Sequence, residues 1–281
     1  MNYENNMMQP NSPHRLMTRR SFLLALFAAA LSGCRSGTGG QDSPSRDTGA
    51  ASFGTAVVAT FDISASAHTK TVAARYLDGF EQVVEAVQGG DKVEGYPITS
   101  ITQATSMDRI SKKFPVSKGL LDNPETYKAE FAQAQRDAVN QARTVLKLPT
   151  AGATDILNAF TDASGILDGC KGMNRRLCIF SDMIHQAGNY DFAREDLTPS
   201  RTKAIIQAQR RAGLLPSLTG VTVWVAGAGA DPSDPTVISQ RFLLEPDKIA
   251  QIRNFWIAFF DACGADLTAN RYSATLQNYP G

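Results

Sequence analysis

The chain has 281 residues, with 28 basic and 27 acidic side chains, 43% hydrophobic residues, three histidines and four cysteines. So even a balance creates no basic field, and nothing in the charge points to nucleic acid as a partner. The length can bury the core of one large domain or two small ones.

The N-terminal segment comes first, because it has to be set aside before the fold is read. Thr18-Arg19-Arg20 precedes an apolar run over residues 22–31. About ten residues cannot cross a bilayer as a helix, which takes roughly 20. Positive charge, a short apolar stretch and then small residues make the layout of a signal peptide over residues 1–33. Leu31-Ser32-Gly33-Cys34 resembles the lipobox of bacterial lipoproteins. The resemblance implies a diacylglyceryl group on the Cys34 thiol, cleavage before Cys34, and attachment to a membrane through that lipid. Arg35, standing where inner-membrane lipoproteins carry aspartate, implies the outer membrane facing the periplasm if the cell is Gram-negative. The run from Thr18 to Leu23 also resembles a twin-arginine export signal, and both export routes stay open. The polar residues before Met17 allow either a long leader or a start at Met17. Removing residues 1–33 takes Arg15, Arg19, Arg20 and Glu4, which leaves a net charge near −1.

Residues 34–53 are mostly Gly, Ser, Thr, Asp and Pro, a composition that cannot offset its own ordering entropy, and they read as a flexible tether. A domain is expected over residues 54–281. It opens with an apolar, β-rich run at 55–61, as in a strand covered on both faces. A helix follows over 67–89, closed by Gly89-Gly90. A weaker strand lies near 92–99, then a polar connection, then a long helix from Pro124 to about Leu148. Further elements are a helix at 155–167, a buried strand at 176–181 and a helix from Thr198-Pro199 to about Ala212, with threonine as cap and proline in the first turn. Residues 221–226 (Val-Thr-Val-Trp-Val-Ala) form a strand, and 246–263 form a helix with Phe255, Trp256, Phe259 and Phe260 in its core face. Strands alternating with helices predict an α/β fold: a Rossmann-like, doubly wound, mostly parallel sheet with helices on both faces. Ligands in such folds sit beyond the carboxyl ends of the strands.

Oxygen-bearing side chains collect where loops leave those ends: Asp62, Ser64 and Ser66 after the first strand, Thr154 at a helix start, and Asp182 after the central strand. Carboxylates and hydroxyls are hard donors, suited to a magnesium-type ion, with manganese or calcium as alternatives. This set, in this order, resembles the metal-ion-dependent adhesion site of the von Willebrand factor A family. Gly90-Asp91-Lys92-Val93 and the run from Gly152 to Phe160 add to the resemblance, which covers residues 55–263. It implies that Ser64 and Ser66 ligate through their hydroxyls, that Thr154 binds directly or through water, and that Asp62 and Asp182 act through bound waters. An ion held so weakly by anions stays electrophilic, so a carboxylate from a partner protein can complete its shell. The alternative is a turn in which Asp62 and Ser64 bond neighbouring backbone.

Three features depart from the family. Met183 stands where glycine usually follows the last aspartate, the second strand lacks a hairpin partner, and residues 100–148 are longer than usual. Among the cysteines, Cys170 and Cys178 flank a turn and could form a disulfide in an oxidising compartment; otherwise they and Cys263 are buried thiols. His68 and His185 are too few for a histidine metal centre, and no nucleophile elbow accompanies Ser64. Gly227-Ala228-Gly229 lacks the third glycine of a dinucleotide loop. The expectation is a non-enzymatic, membrane-anchored binding module that grips an acidic group of a partner. A scaffold or assembly lipoprotein with no working metal site is the alternative.

Overall fold

The computed structural model describes residues 54–64, 69–99, 109–149, 151–228 and 244–281, all within one compact unit, Gly49–Gly281. The expected leader, Cys34, the tether, Ser66, His68 and Gly229 lie outside the described residues. The elements run β1 (Thr55–Asp62), α1 (Lys70–Glu85), β2 (Lys92–Ile98), β3 (Ile110–Lys113), α2 (Pro124–Val145), α3 (Ile156–Asp168), β4 (Asn174–Phe180), β5 (Gln186–Ala187), β6 (Tyr190–Asp191), α4 (Pro199–Arg211), β7 (Val221–Ala226), α5 (Pro246–Ala262) and β8 (Tyr272–Ser273). Side-chain oxygens start four of the helices. Thr69 accepts from the Val72 amide, Asn123 from Glu125 and Thr126, Asp155 from Asn158, and Thr198 from Arg201. Each such cap satisfies amides that have no partner inside the helix.

Six strands form one sheet in the order β3-β2-β1-β4-β7-β8. The β1, β2, β4, β7 and β8 pairings are parallel, and only β3 runs against β2. Period-two alternation divides the strand side chains between two helical layers. Val57, Ala59, Phe61, Cys178 and Phe180 pack with α1 and α2, whereas Val58, Leu177, Ile179, Val223 and Val225 pack with α3, α4 and α5. Phe61 stacks on Phe180 at 5.1 Å with Phe80 edge-on at 5.3 Å in the first layer. Phe160 meets Trp256 edge-on at 5.5 Å in the second, where Phe255, Phe259 and Phe260 are also fully buried. The fold class expected from the sequence is the one observed.

Two expectations are corrected. The second strand does have a hairpin partner, β3, which lies inside the long stretch 100–148 together with α2. Its sequence, Ile-Ser-Lys-Lys, has one buried residue followed by three polar ones, so an edge strand here leaves no hydrophobic run to detect. The Cys170–Cys178 disulfide is not formed: Cys170, Cys178 and Cys263 are free thiols. Cys170 follows α3 on one face, while Cys178 sits four residues into β4 and points to the opposite face, toward α1. Burial pushes the Cys178 thiol up to about 12, the behaviour of a small core hydrophobe.

Candidate cation site at the carboxyl edge of the sheet

Three loops meet where β1 and β4 end, and hydrogen bonds join them. The Ala151 amide donates to the Ile63 carbonyl at 3.1 Å, and Ser64 bridges to Ala151. Thr154 and Gln186 exchange both backbone bonds, at 3.2 and 3.0 Å. The Ser181 hydroxyl donates to Asp62 Oδ2 at 2.8 Å. Four of the five residues singled out in the sequence, Asp62, Ser64, Thr154 and Asp182, therefore stand on loops tied to one another. Ser66 lies outside the described residues.

Asp62 is 1% exposed, Ser64 6% and Thr154 3%, whereas Asp182 is half-buried. Asp62 Oδ1 accepts the Ser64 amide at 2.8 Å, the local turn that the alternative reading called for. Burial raises the Asp62 carboxyl above its usual range, and the bonds from Ser64 and Ser181 offset only part of that. A buried carboxylate gains charge stability from a nearby cation. With one oxygen turned to an amide and the other to a hydroxyl, Asp62 suits contact through water better than direct ligation. The Asp182 Oδ1 accepts the Ile184 amide at 2.9 Å, which fixes the loop that follows. Among the described residues no three His, Cys, Asp or Glu side chains gather around one point. Any ion here would rest on hydroxyls and one or two carboxylates, a donor set that fits a hard divalent cation keeping some waters.

Met183 explains itself structurally. Its φ is 65°, the left-handed region that favours glycine, so a glycine would cost less here. Methionine is held by three contacts. Its amide donates to the Ser181 hydroxyl at 2.9 Å, its carbonyl accepts from Trp256 Nε1 at 2.8 Å, and its side chain is fully buried. Burial of such a side chain is worth about 1.5–3 kcal/mol, enough to offset the roughly 1–2 kcal/mol of left-handed strain.

Sequence reasoning missed four residues around the site. Ser181 was legible only as a strand end, yet its hydroxyl touches Asp62. Tyr76 from α1 is 1% exposed, and burial together with the Asp62 and Asp182 charges holds its phenol well above the usual range. Gly227 (φ 105°) lies against it: an added Cβ would fall 2.6 Å from Tyr76 Cε1. His185 is 2% exposed, with Nδ1 accepting the Ile156 amide at 3.2 Å, so it fastens the start of α3 just after Thr154. None of these bonds joins residues in a spacing that the sequence displays.

No family model matches the sequence, and no curated protein matches it. Among solved structures the chain is similar to a von Willebrand factor type A protein from Catenulispora acidiphila, with 13% identity over 76% of this chain and 43% of that one and a TM-score of 0.37. It is similar to an aerotolerance-related membrane protein from Bacteroides fragilis, with 13% identity over 80% and 92% of the two chains and a TM-score of 0.36. It is also similar to proximal thread matrix protein 1 from the mussel byssus, solved with a zinc-occupied MIDAS motif, with 13% identity over 76% and 48% and a TM-score of 0.36. The chain spans less than half the length of the first and last of these. They are distant likenesses, and the α/β architecture stands on the strand register itself.

Proposed function

We propose that this chain is a lipid-anchored envelope protein whose domain binds an acidic group of a partner protein through a magnesium-type cation at the carboxyl edge of the sheet. The observation that carries the reading is the hydrogen-bonded closure of the loops bearing Asp62, Ser64, Thr154 and Asp182. Hydroxyls and water-separated carboxylates would leave the ion enough positive charge to take a carboxylate from outside. The role is binding, not turnover. Cys34 carries the lipid, and residues 34–53 give the domain reach from the membrane.

Thermal unfolding with magnesium and with chelator tests the site. Magnesium raises Tm of the parent chain, and the rise disappears in Ser64→Ala and shrinks in Asp182→Asn, whose carbonyl oxygen can still accept the Ile184 amide, while their Tm in chelator stays close to the parent's. Equal magnesium response in parent and variants would sink the metal reading. The scaffold reading is favoured by one observation, that both Asp62 oxygens already have protein partners. It predicts an unchanged set of crosslinked partners after Ser64→Ala.

A further inference from the structure

The opposite end of the sheet carries a surface with different chemistry. Leu120 is 106% exposed and Val116 58% exposed, two of the large apolar side chains presented most fully to solvent among the described residues. Their loop is braced. The Lys118 amide donates to the Asp122 carboxylate, the Gly119 amide to Ser117 Oγ at 3.2 Å, and the Asp122 amide to the Gly119 carbonyl at 3.1 Å. Lys113 and Lys118 are exposed beside it, and Lys92 faces Lys113 across the β2–β3 pair. None of the three has a carboxylate within ion-pair distance among the described residues. Nearby acids are already engaged, Asp122 by an amide, Glu125 by Lys128 and Asp137 by Lys112.

This loop adjoins the point where residues 34–53 join the domain. The Gly90 amide donates to the Phe114 carbonyl at 3.2 Å and the Phe114 amide to the Asp91 carbonyl at 2.9 Å, while Asp91 Oδ1 accepts the Thr55 amide at 2.5 Å. A Cβ on Gly54 would lie 2.8 Å from that same oxygen. We infer that Val116 and Leu120, ringed by Lys92, Lys113 and Lys118, form a bilayer-docking face that inserts apolar side chains among anionic lipid headgroups. The choice of a bilayer rests on the reading of Cys34 as lipid-bearing, since the tether from that lipid ends beside this loop. A diacylglyceryl anchor on a tether holds the chain at the bilayer without fixing its orientation, and apolar insertion plus basic residues adds a second contact that does. Docking here turns the carboxyl edge of the sheet away from the lipid.

The test uses the chain from residue 34 onward with Cys34→Ser, which removes both the signal segment over residues 1–33 and any acyl group and leaves only the face to bind. It co-sediments with phosphatidylcholine vesicles containing phosphatidylglycerol, less with phosphatidylcholine alone, and less as salt rises. Leu120→Glu, or Lys113→Glu with Lys118→Glu, lowers the bound fraction about fivefold or more without changing Tm. No sedimentation of the Cys34→Ser chain, or equal sedimentation of the Leu120→Glu chain, overturns the inference. Lipidation is read separately from the mass of the N-terminal fragment of the native protein. Its absence would remove the anchor, while vesicle binding by the Cys34→Ser chain would still support the face.

Discussion

Two buried aspartates stand at opposite ends of the β1–β2 region and are held in different ways. Asp91, 4% exposed, gives one oxygen to the Thr55 amide at 2.5 Å and the other to the Gln88 amide at 2.8 Å. Its own amide and carbonyl are bonded too, to Gln88 and Phe114. Asp62, 1% exposed, has one amide and the hydroxyls of Ser64 and Ser181, and burial leaves its charge disfavoured. Backbone amides are fixed donors, so Asp91 fastens a turn. A serine hydroxyl can rotate and can accept as well as donate, so Asp62 can exchange its partner for water or a cation-bound water. Both residues belong to motifs in the family resemblance, but only one has an environment that leaves chemistry to be done.

Replacing each carboxylate by its amide should separate them most clearly. Asp91→Asn turns an NH2 toward one of the two amides and should destabilise the fold by about 2–3 kcal/mol, the cost of a buried donor left unsatisfied, measured by denaturant unfolding. Asp62→Asn keeps an acceptor for the Ser64 amide and lets Ser181 rotate to accept. Its stability in chelator should stay within about 1 kcal/mol of the parent, with the magnesium response lost. Equal costs for the two substitutions would erase the distinction between fastening and reactive aspartates.

The smallest effect concerns His185, which closes the loop beside Asp62's partners. Burial lowers its affinity for a proton below the ordinary 6.5, partly opposed by Asp155, and its Nδ1 must stay unprotonated to accept the Ile156 amide. The unfolded chain therefore binds the proton more readily. The stabilisation is fully present above the unfolded value and is lost as pH falls through the lower folded one. Tm should drop between pH ~7.5 and ~5, and His185→Asn should drop less over that interval. Matching pH profiles would remove His185 from the closure of the site.

The sheet was legible where both faces are buried. The runs at residues 56–61, 177–180 and 223–226 are apolar but for Thr60, and buried throughout, because helices cover both sides. The start of α4 was legible from its cap, Thr198, whereas Asp155, expected as the first residue of α3, is its cap. The α1 helix begins at Lys70 rather than Ala67, since Thr69 caps it. Edge elements escaped notice because an edge strand needs little apolar content, as in β3, or only two residues, as in β8. Of the candidate site, the residues bearing oxygens were visible in order and spacing. The supports were not, because Ser181, Tyr76, Gly227 and His185 reach their partners across the fold.

The C-terminal residues have a practical consequence for anyone handling this protein. Asn278 accepts the Trp224 indole N–H at 3.3 Å, Tyr279 lies edge-on to Trp224 at 5.0 Å, and Arg176 sits over both rings. A purification tag or fluorescent fusion appended directly after Gly281 would hang two residues from that clasp and strain it, so a spacer of several flexible residues belongs between them.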